Sequence, residues 1–130
     1  MTDRIASCSC GQLTAEVKGD PQRVSICHCL ACQRRTGSVF GQQARFPREN
    51  VKVSGASTRY VRVGDEGGAA TFHFCPTCGA TVYYESGADG CIAIPVGAFA
   101  DPAFPPPTVS VYEERMHQWV VPPADAEHIF

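Results

Sequence analysis

Eight cysteines grouped in short clusters constrain this chain of 130 residues more than any other feature of its sequence. They form three clusters and one isolated position: Cys8 and Cys10; Cys27, Cys29 and Cys32; Cys75 and Cys78; and Cys91. Disulfides between cysteines so close in sequence are strained, whereas short Cys-x-Cys and Cys-x-x-Cys turns let two thiolates converge on one metal ion. The spacing therefore favours metal ligation over a disulfide scaffold.

Length and charge narrow the classes of protein further. The chain fits a single domain over residues 1–130. Its N-terminal segment has no apolar run of signal-peptide length, and no stretch approaches the roughly 20 apolar residues that span a bilayer. We expect a cytoplasmic protein with no membrane partner, in a reducing compartment where cysteines serve as metal ligands. The net charge of -2 gives no reason to expect nucleic acid as a partner.

The basic residues are unevenly distributed. Seven of the eleven lie between positions 34 and 62: Arg34, Arg35, Arg45, Arg48, Lys52, Arg59 and Arg62. They could simply form solvated strand faces. They could instead form the rim of a pocket that attracts a carboxylate or phosphate group, because guanidinium groups pair with both.

Alternating apolar and polar residues predict an all-β fold. Six segments carry strand patterns: 12–17, 38–46, 58–63, 81–86, 91–99 and 108–114. Gly- and Pro-rich pieces, including 63–68 and 86–90, separate them as turns. We expect at most a single helical turn, directly after Cys29.

The spacing divides the cysteines into a set of four and a set of three. Cys8, Cys10, Cys75 and Cys78 suit a closed structural zinc site, because two knuckles distant in sequence stabilise a thin β fold most when one ion joins them. That leaves Cys27, Cys29 and Cys32, and three protein ligands with an open fourth position are typical of a catalytic zinc.

Other ligand sets remain open at this point. Cys91, His28 or His73 could complete the second site. Cys91 begins an apolar strand pattern, which favours a small buried side chain. For both histidines a structural role is the first interpretation, and hydrogen bonding near the metal is the functional one.

Four segments together resemble a known family: CSCG at 8–11, CHCLACQRRTGSVF at 27–40, FHFCPTCGATVYY at 72–84 and VGAFADP at 96–102. The chain resembles the glutathione-dependent formaldehyde-activating enzymes, whose domain also occurs in centromere protein V. The resemblance covers roughly residues 8–120. It implies a compact fold of packed antiparallel sheets, stabilised by zinc and similar to methionine sulfoxide reductase B.

The resemblance also implies an activity and its residues. The family's activity is carbon–sulfur lyase chemistry, the reversible joining of glutathione and formaldehyde into S-hydroxymethylglutathione. The cysteines matching the set of four hold a structural zinc, and those matching Cys27, Cys29 and Cys32 hold a catalytic one. From their positions near the cysteines, and not from the resemblance, we expect His28 or His73 to move the proton and Arg34 and Arg35 to hold the carboxylates of the thiol substrate.

Two other classes of protein remain as alternatives. The first is a zinc-stabilised binding module without catalysis, which would use the basic segment at 34–62 to bind a partner. The second is a thiol redox protein, which would need a reactive cysteine outside the metal sites, and only Cys91 is available.

Overall fold

A computed structural model describes residues 3–64, 68–87 and 89–130 of the chain. Within them eleven strands and one short α-helix occur in the order β1 (Asp3–Ser7), β2 (Thr14–Lys18), β3 (Arg23–Cys27), α1 (Leu30–Thr36), β4 (Gly41–Pro47), β5 (Val51–Ser54), β6 (Thr58–Val63), β7 (Ala69–Phe74), β8 (Thr81–Glu85), β9 (Cys91–Pro95), β10 (Val109–Val111) and β11 (Glu127–His128). The prediction of an all-β fold is confirmed. The turns predicted at 63–68 and 86–90 include residues 65–67 and 88, which lie outside the described residues.

The strands form two sheets of unequal size. The small sheet has the order β1-β2-β5 and is antiparallel throughout. The large sheet has the order β11-β10-β3-β4-β9-β8-β7-β6. The prediction of purely antiparallel sheets is wrong at one edge, because β10 pairs in parallel with both β3 and β11. A long stretch of chain separates β3 from β10, so no hairpin constrains their relative direction.

The hydrophobic core lies between the two sheets. Alternation in β2 turns Ala15 and Val17 inward, while Glu16 and Lys18 are exposed. Phe46, Val82 and Ile94 pack against them from the inner face of the large sheet, and each is completely buried. Phe46 also contacts the ring of Phe99, 6.0 Å between centroids, which extends the core beyond the end of β9.

The outer face of the large sheet carries a second and smaller apolar cluster. Ala93 lies between the inward-facing Ile92 and Ile94, so it points to the opposite side. It packs there with Phe72 and Tyr84, whose rings stack at 4.7 Å. Both faces of this sheet are therefore partly covered, and the outer face positions the candidate site described below.

The sequence patterns missed several elements. Strand β3, Arg23–Cys27, alternates Arg23 and Ser25 with the apolar Val24 and Ile26, but the pattern is only five residues long and runs directly into the cysteine cluster, so it gives a weak strand signal. Helix α1 spans seven residues, about two turns, and not the single turn expected. Gly37 ends it in a left-handed conformation with φ 72°, and its amide donates to the Gln33 carbonyl at 2.9 Å.

The C-terminal strand β11 is fixed by a buried carboxylate. Glu113 is 8% exposed, and its Oε2 lies 2.6 Å from Nδ1 of His128. The hydrogen bond to Glu113 raises the pKa of His128 above its ordinary value. Burial alone would raise the pKa of Glu113, but hydrogen bonds to His128 and Ser110 hold it below its ordinary value.

No helix within the described ranges is long and apolar enough to cross a membrane.

The pair of Glu113 and His128 predicts a defined pH dependence of stability. Because the folded pKa of His128 is raised, its contribution is complete below the unfolded value of 6.5 and is lost as the pH rises through the folded value. Because the folded pKa of Glu113 is lowered, its contribution is present above the unfolded value of 4.5 and is lost as the pH falls through the folded one. The pair therefore stabilises the fold most between pH 4.5 and 6.5.

We expect His128→Gln to lower the melting temperature more near pH 5.5 than at about pH 9, because the contribution of His128 is lost as the pH rises through its raised folded pKa. Thermal unfolding followed by circular dichroism across this range measures the difference. His117→Gln is the control, because His117 contacts Gln33 and not a carboxylate. An equal loss at both pH values would contradict the assignment of a charged pair.

Candidate metal centres and a basic trough

The set of four cysteines converges in space. Their sulfur atoms all lie within 4.8 Å of one another. Cys10 Sγ is 3.6 Å from Cys8 Sγ and 3.6 Å from Cys75 Sγ. Tetrahedral zinc–sulfur bonds of about 2.3 Å place the sulfurs roughly 3.8 Å apart, so this donor set fits a zinc ion.

Two similar turns build this four-cysteine cluster. Cys8 and Cys75 each donate their amide to a carbonyl five residues later, at 3.0 Å to Leu13 and 3.0 Å to Ala80. Gly11 and Gly79 follow the second cysteine of each turn with φ of 88° and 80°, a left-handed conformation that glycine adopts without strain. The first turn connects β1 to β2 in the small sheet, and the second connects β7 to β8 in the large one. The cluster thus joins the two sheets.

Hydrogen-bond donors surround the sulfur of Cys75. Burial alone would raise the pKa of Cys75. Hydrogen bonds from the amides of Cys78 and Thr77 and from the side chain of Gln12 instead lower it to about 5. Gln12 Nε2 lies 3.0 Å from this sulfur, and its Oε1 accepts from the amide of Ala56 at 2.9 Å. These donors favour the thiolate, which is the form that binds a metal. Sequence analysis missed Gln12, because nothing in the pattern indicates that residues 12 and 56 meet.

The set of three cysteines is built locally. Cys27 ends β3, Cys29 caps the N-terminus of α1 by accepting the amide of Cys32 at 3.3 Å, and Cys32 lies in the first turn. Their sulfurs also lie within 4.8 Å of one another. Among the described residues this three-cysteine cluster has no fourth ligand, whether histidine, cysteine or carboxylate. Its donors fit a metal ion that keeps one position for another ligand.

Charge and close packing shape the three-cysteine cluster. The hydrogen bond with Cys27 and the nearby charge of Arg35 lower the pKa of Cys32 to about 5, while the same contact with Cys32 raises the pKa of Cys27. Gly41 is the cross-strand partner of Cys27. A Cβ at Gly41 would lie 3.1 Å from Arg35 Nη2 and 3.3 Å from Cys32 Cβ, so a larger residue there would require Arg35 and Cys32 to shift by a few tenths of an ångström.

Cys91 lies far from the three-cysteine cluster. It pairs with Pro47 at one end of β4, whereas Cys27 pairs with Gly41 at the other, a separation of about 20 Å along the strand. The Cys91 thiol donates to Gln22 Oε1 at 3.1 Å, and burial raises its pKa. The structure therefore gives Cys91 the environment of a buried side chain and no place in the cluster.

A trough of about 510 Å³ runs over the outer face of the large sheet, from the three-cysteine cluster to the far end of β3 and β4. Its floor is set by alternation: Arg23, Ser25 and Cys27 face it from β3, and Gln43 and Arg45 from β4. Gln43 donates to Ser25 Oγ at 2.9 Å in the middle of this floor. Phe72 and Tyr84 form the apolar wall on the side of β7 and β8.

Arginines dominate the charge of the trough. Glu114 is the single carboxylate that lines it within the described residues. The five arginines that line it are Arg23, Arg35, Arg45, Arg62 and Arg115. Arg35 extends from α1 with its guanidinium carbon 5.3 Å and 5.2 Å from the ring centroids of Phe72 and Tyr84. Its neighbour Arg34 is exposed and does not line the trough.

The two histidines predicted to move protons do not line the trough. His28 is completely buried, its Nε2 lies 2.9 Å from Ser110 Oγ, and its ring meets Phe40 edge-on. His73 stacks on Tyr83 at 4.2 Å, and its Nδ1 lies 3.2 Å from Ser57 Oγ. Burial lowers the pKa of both histidines. Each contacts structural neighbours instead of the cysteine sulfurs.

Sequence analysis missed several residues that line the trough. Arg23 and Gln43 belong to strands whose pairing places them beside the cysteines, and Arg115 arrives from the C-terminal segment. The dense basic segment gave a partial signal, because Arg45 and Arg62 lie within it. Arg23 and Arg115 lie outside it and required the fold.

The model of a family described as glutathione-dependent formaldehyde-activating enzyme matches residues 3–115. A crystal structure of a Rhodobacter sphaeroides protein is similar with a TM-score of 0.54 and 21% sequence identity, over 97% of this chain and 99% of that one. This likeness supports the fold alone.

The two cysteine clusters predict opposite consequences of mutation. Cys78→Ser removes a donor that joins the two sheets, and we expect it to unfold the domain, since a structural zinc supplies ~10 kcal/mol or more of folding free energy in small domains. Cys29→Ser removes a donor from a local loop and should leave the fold intact. Thermal unfolding and zinc content per chain measure both effects, with Cys91→Ser as the cysteine control. A folded Cys78→Ser protein with unchanged melting temperature would contradict the joining role.

Proposed function

Because the chain belongs to the family of glutathione-dependent formaldehyde-activating enzymes, we propose that it forms and cleaves the carbon–sulfur bond of a thiol–aldehyde adduct. S-hydroxymethylglutathione, from glutathione and formaldehyde, is the adduct that the family implies. We propose residues 1–130 as one catalytic domain that works in the reducing cytoplasm with two zinc ions, one structural and one catalytic.

The observation that carries this proposal is the three-cysteine cluster at the end of an arginine-lined trough. Three thiols with no fourth described protein ligand suit a metal that must also meet a substrate. A zinc ion held there would supply a Lewis-acid position for the thiol or the aldehyde. The four-cysteine cluster has a complete donor set and a place between two sheets, which suits a structural ion.

The reaction balances without any further reactant. The sulfur of the thiol attacks the carbonyl carbon, the C–S bond forms, the π electrons of the carbonyl move to its oxygen, and the proton of the thiol ends on that oxygen. Cleavage is the reverse. The protein must hold the thiol as its anion, place the carbonyl carbon beside it and transfer one proton.

Residues of the trough can perform these tasks. Arg35 adds positive charge beside Cys32, which favours an anionic sulfur at this end. Burial raises the pKa of Tyr84 to about 12, so this phenol stays protonated and can donate a hydrogen bond to a developing oxyanion. Glu114 is the single carboxylate that lines the trough within the described residues, and we assign it the proton transfer.

Under this proposal the predicted role of His28 changes, Arg34 loses its predicted role, and Arg35 keeps the one predicted for it. We assign His28 a positioning role, because its contact with Ser110 on β10 fixes the segment between Cys27 and Cys29. Arg35 takes the role of binding a substrate carboxylate, since Arg34 points away from the trough. The redox alternative loses support, because burial raises the pKa of the Cys91 thiol and makes it less reactive.

The test must separate catalysis from the uncatalysed reaction, because thiols and aldehydes also combine without a protein. NMR exchange spectroscopy on an equilibrium mixture of glutathione and formaldehyde reads the interconversion rate directly. We expect the zinc-loaded wild type to accelerate exchange and Cys29→Ala, at equal fold stability, to lose most of that acceleration. Cys91→Ala is the matched control and should keep it.

An exchange rate equal to the protein-free rate, with wild type and Cys29→Ala alike across several small thiols and aldehydes, would overturn the lyase proposal. The zinc-stabilised binding module would then be the better account of the trough.

A further inference from the structure

Two arginines lie directly opposite each other at the end of the trough far from the cysteines. Arg23 on β3 and Arg45 on β4 are cross-strand partners in the register that also pairs Cys27 with Gly41. Four residues of extended strand separate Arg23 from Cys27, which is about 13 Å. Both arginines line the trough.

This arrangement brings two positive charges together, and only one of them is paired within the described residues. Like charges directly opposite on neighbouring strands destabilise a sheet. Arg45 has a partner, since its Nη1 lies 3.0 Å from Asp89 Oδ2. Arg23 is exposed and forms no ion pair with a described carboxylate. Neither core packing nor charge pairing within the described chain explains the position of Arg23.

The floor between the two ends is polar and uncharged. Ser25 and Gln43 lie opposite each other there, joined by a 2.9 Å hydrogen bond, and both are buried. A ligand that reaches from the cysteines to Arg23 therefore crosses a neutral stretch before it meets a positive charge. In a tripeptide thiol with a central cysteine, such as glutathione, a terminal carboxylate lies roughly 7 Å from the sulfur-bearing residue when the chain is extended, against about 3.5 Å in a single amino acid, so only the longer thiol brings a carboxylate within reach of the Arg23 side chain.

We propose that Arg23 is a specificity-determining residue that binds a carboxylate of a peptide-length thiol whose sulfur lies at the three-cysteine cluster. Arg45 supports this contact from the opposite strand, and the distance from Cys27 to Arg23 selects peptide thiols over single-residue thiols. The inference rests on the proposed function for the identity of the cysteine end. The contact with Arg23 can be measured without any reaction.

The probe is S-methylglutathione, which cannot form an adduct because its sulfur is blocked. Isothermal titration calorimetry of the zinc-loaded protein gives its dissociation constant. We expect Arg23→Gln to raise that constant about 10-fold or more, because a hydrogen-bonded charge pair is lost. Arg59→Gln removes an arginine of similar exposure outside the trough and should leave the constant unchanged.

Blocked carboxylates sharpen the test. S-methylglutathione has two carboxylates, and each can be esterified separately to give two monoesters. One of these monoesters should bind the wild type as weakly as unmodified S-methylglutathione binds Arg23→Gln. Arg23→Gln should bind that same monoester with no further loss. S-methylcysteine, which is too short to reach Arg23, should bind wild type and variant equally.

The inference is overturned if Arg23→Gln binds S-methylglutathione as tightly as wild type, or if it loses S-methylcysteine and S-methylglutathione to the same extent. Failure of the proposed function would look different. In that case wild type would not accelerate thiol–aldehyde exchange, yet binding of the blocked peptide would still depend on Arg23, and the inference would stand for a peptide-thiol binding site.

Discussion

The convergence of four cysteine sulfurs from two sheets is the constraint on which the rest of this structure depends. Cys8 and Cys10 lie on a turn of the small sheet, and Cys75 and Cys78 lie on a turn of the large one. The small sheet has only three short strands, and a sheet of this size buries little apolar surface. An ion bonded to both turns would fix the sheets against each other and close a loop of more than sixty residues.

Because the four-cysteine cluster joins the sheets elsewhere, the outer face of the large sheet is available for a functional site. Because the inner face and the four-cysteine cluster hold the fold, β3 and β4 can carry arginines, a glutamine and a cysteine on their outer side. The three-cysteine cluster is local, so an ion bound there would not join distant elements. Gly41 then lets α1 approach the strand and brings Cys32 and Arg35 together at one end of the trough.

The sequence predicted what depends on short spacing and on alternation. The division of seven cysteines into four and three matches the two clusters, and the all-β class is confirmed. The parallel pairing of β10 with β3 was beyond prediction, because it depends on contacts between residues far apart in the chain. Arg23 and Gln12 were missed for the same reason. Arg34 and Arg35 receive the same predicted role of binding a carboxylate, because sequence position does not reveal which side of a two-turn helix meets the sheet.

The four-cysteine cluster offers a zinc ion four sulfur ligands, whereas the three-cysteine cluster offers three and leaves one ligand position open. Zinc K-edge X-ray absorption on protein loaded with two zinc ions measures the average ligand set directly. We expect seven sulfur ligands shared between the two ions and one ligand of oxygen or nitrogen. Four sulfur ligands at every zinc would contradict it, because Cys91 or another thiol would then close the second site and leave no position for a substrate.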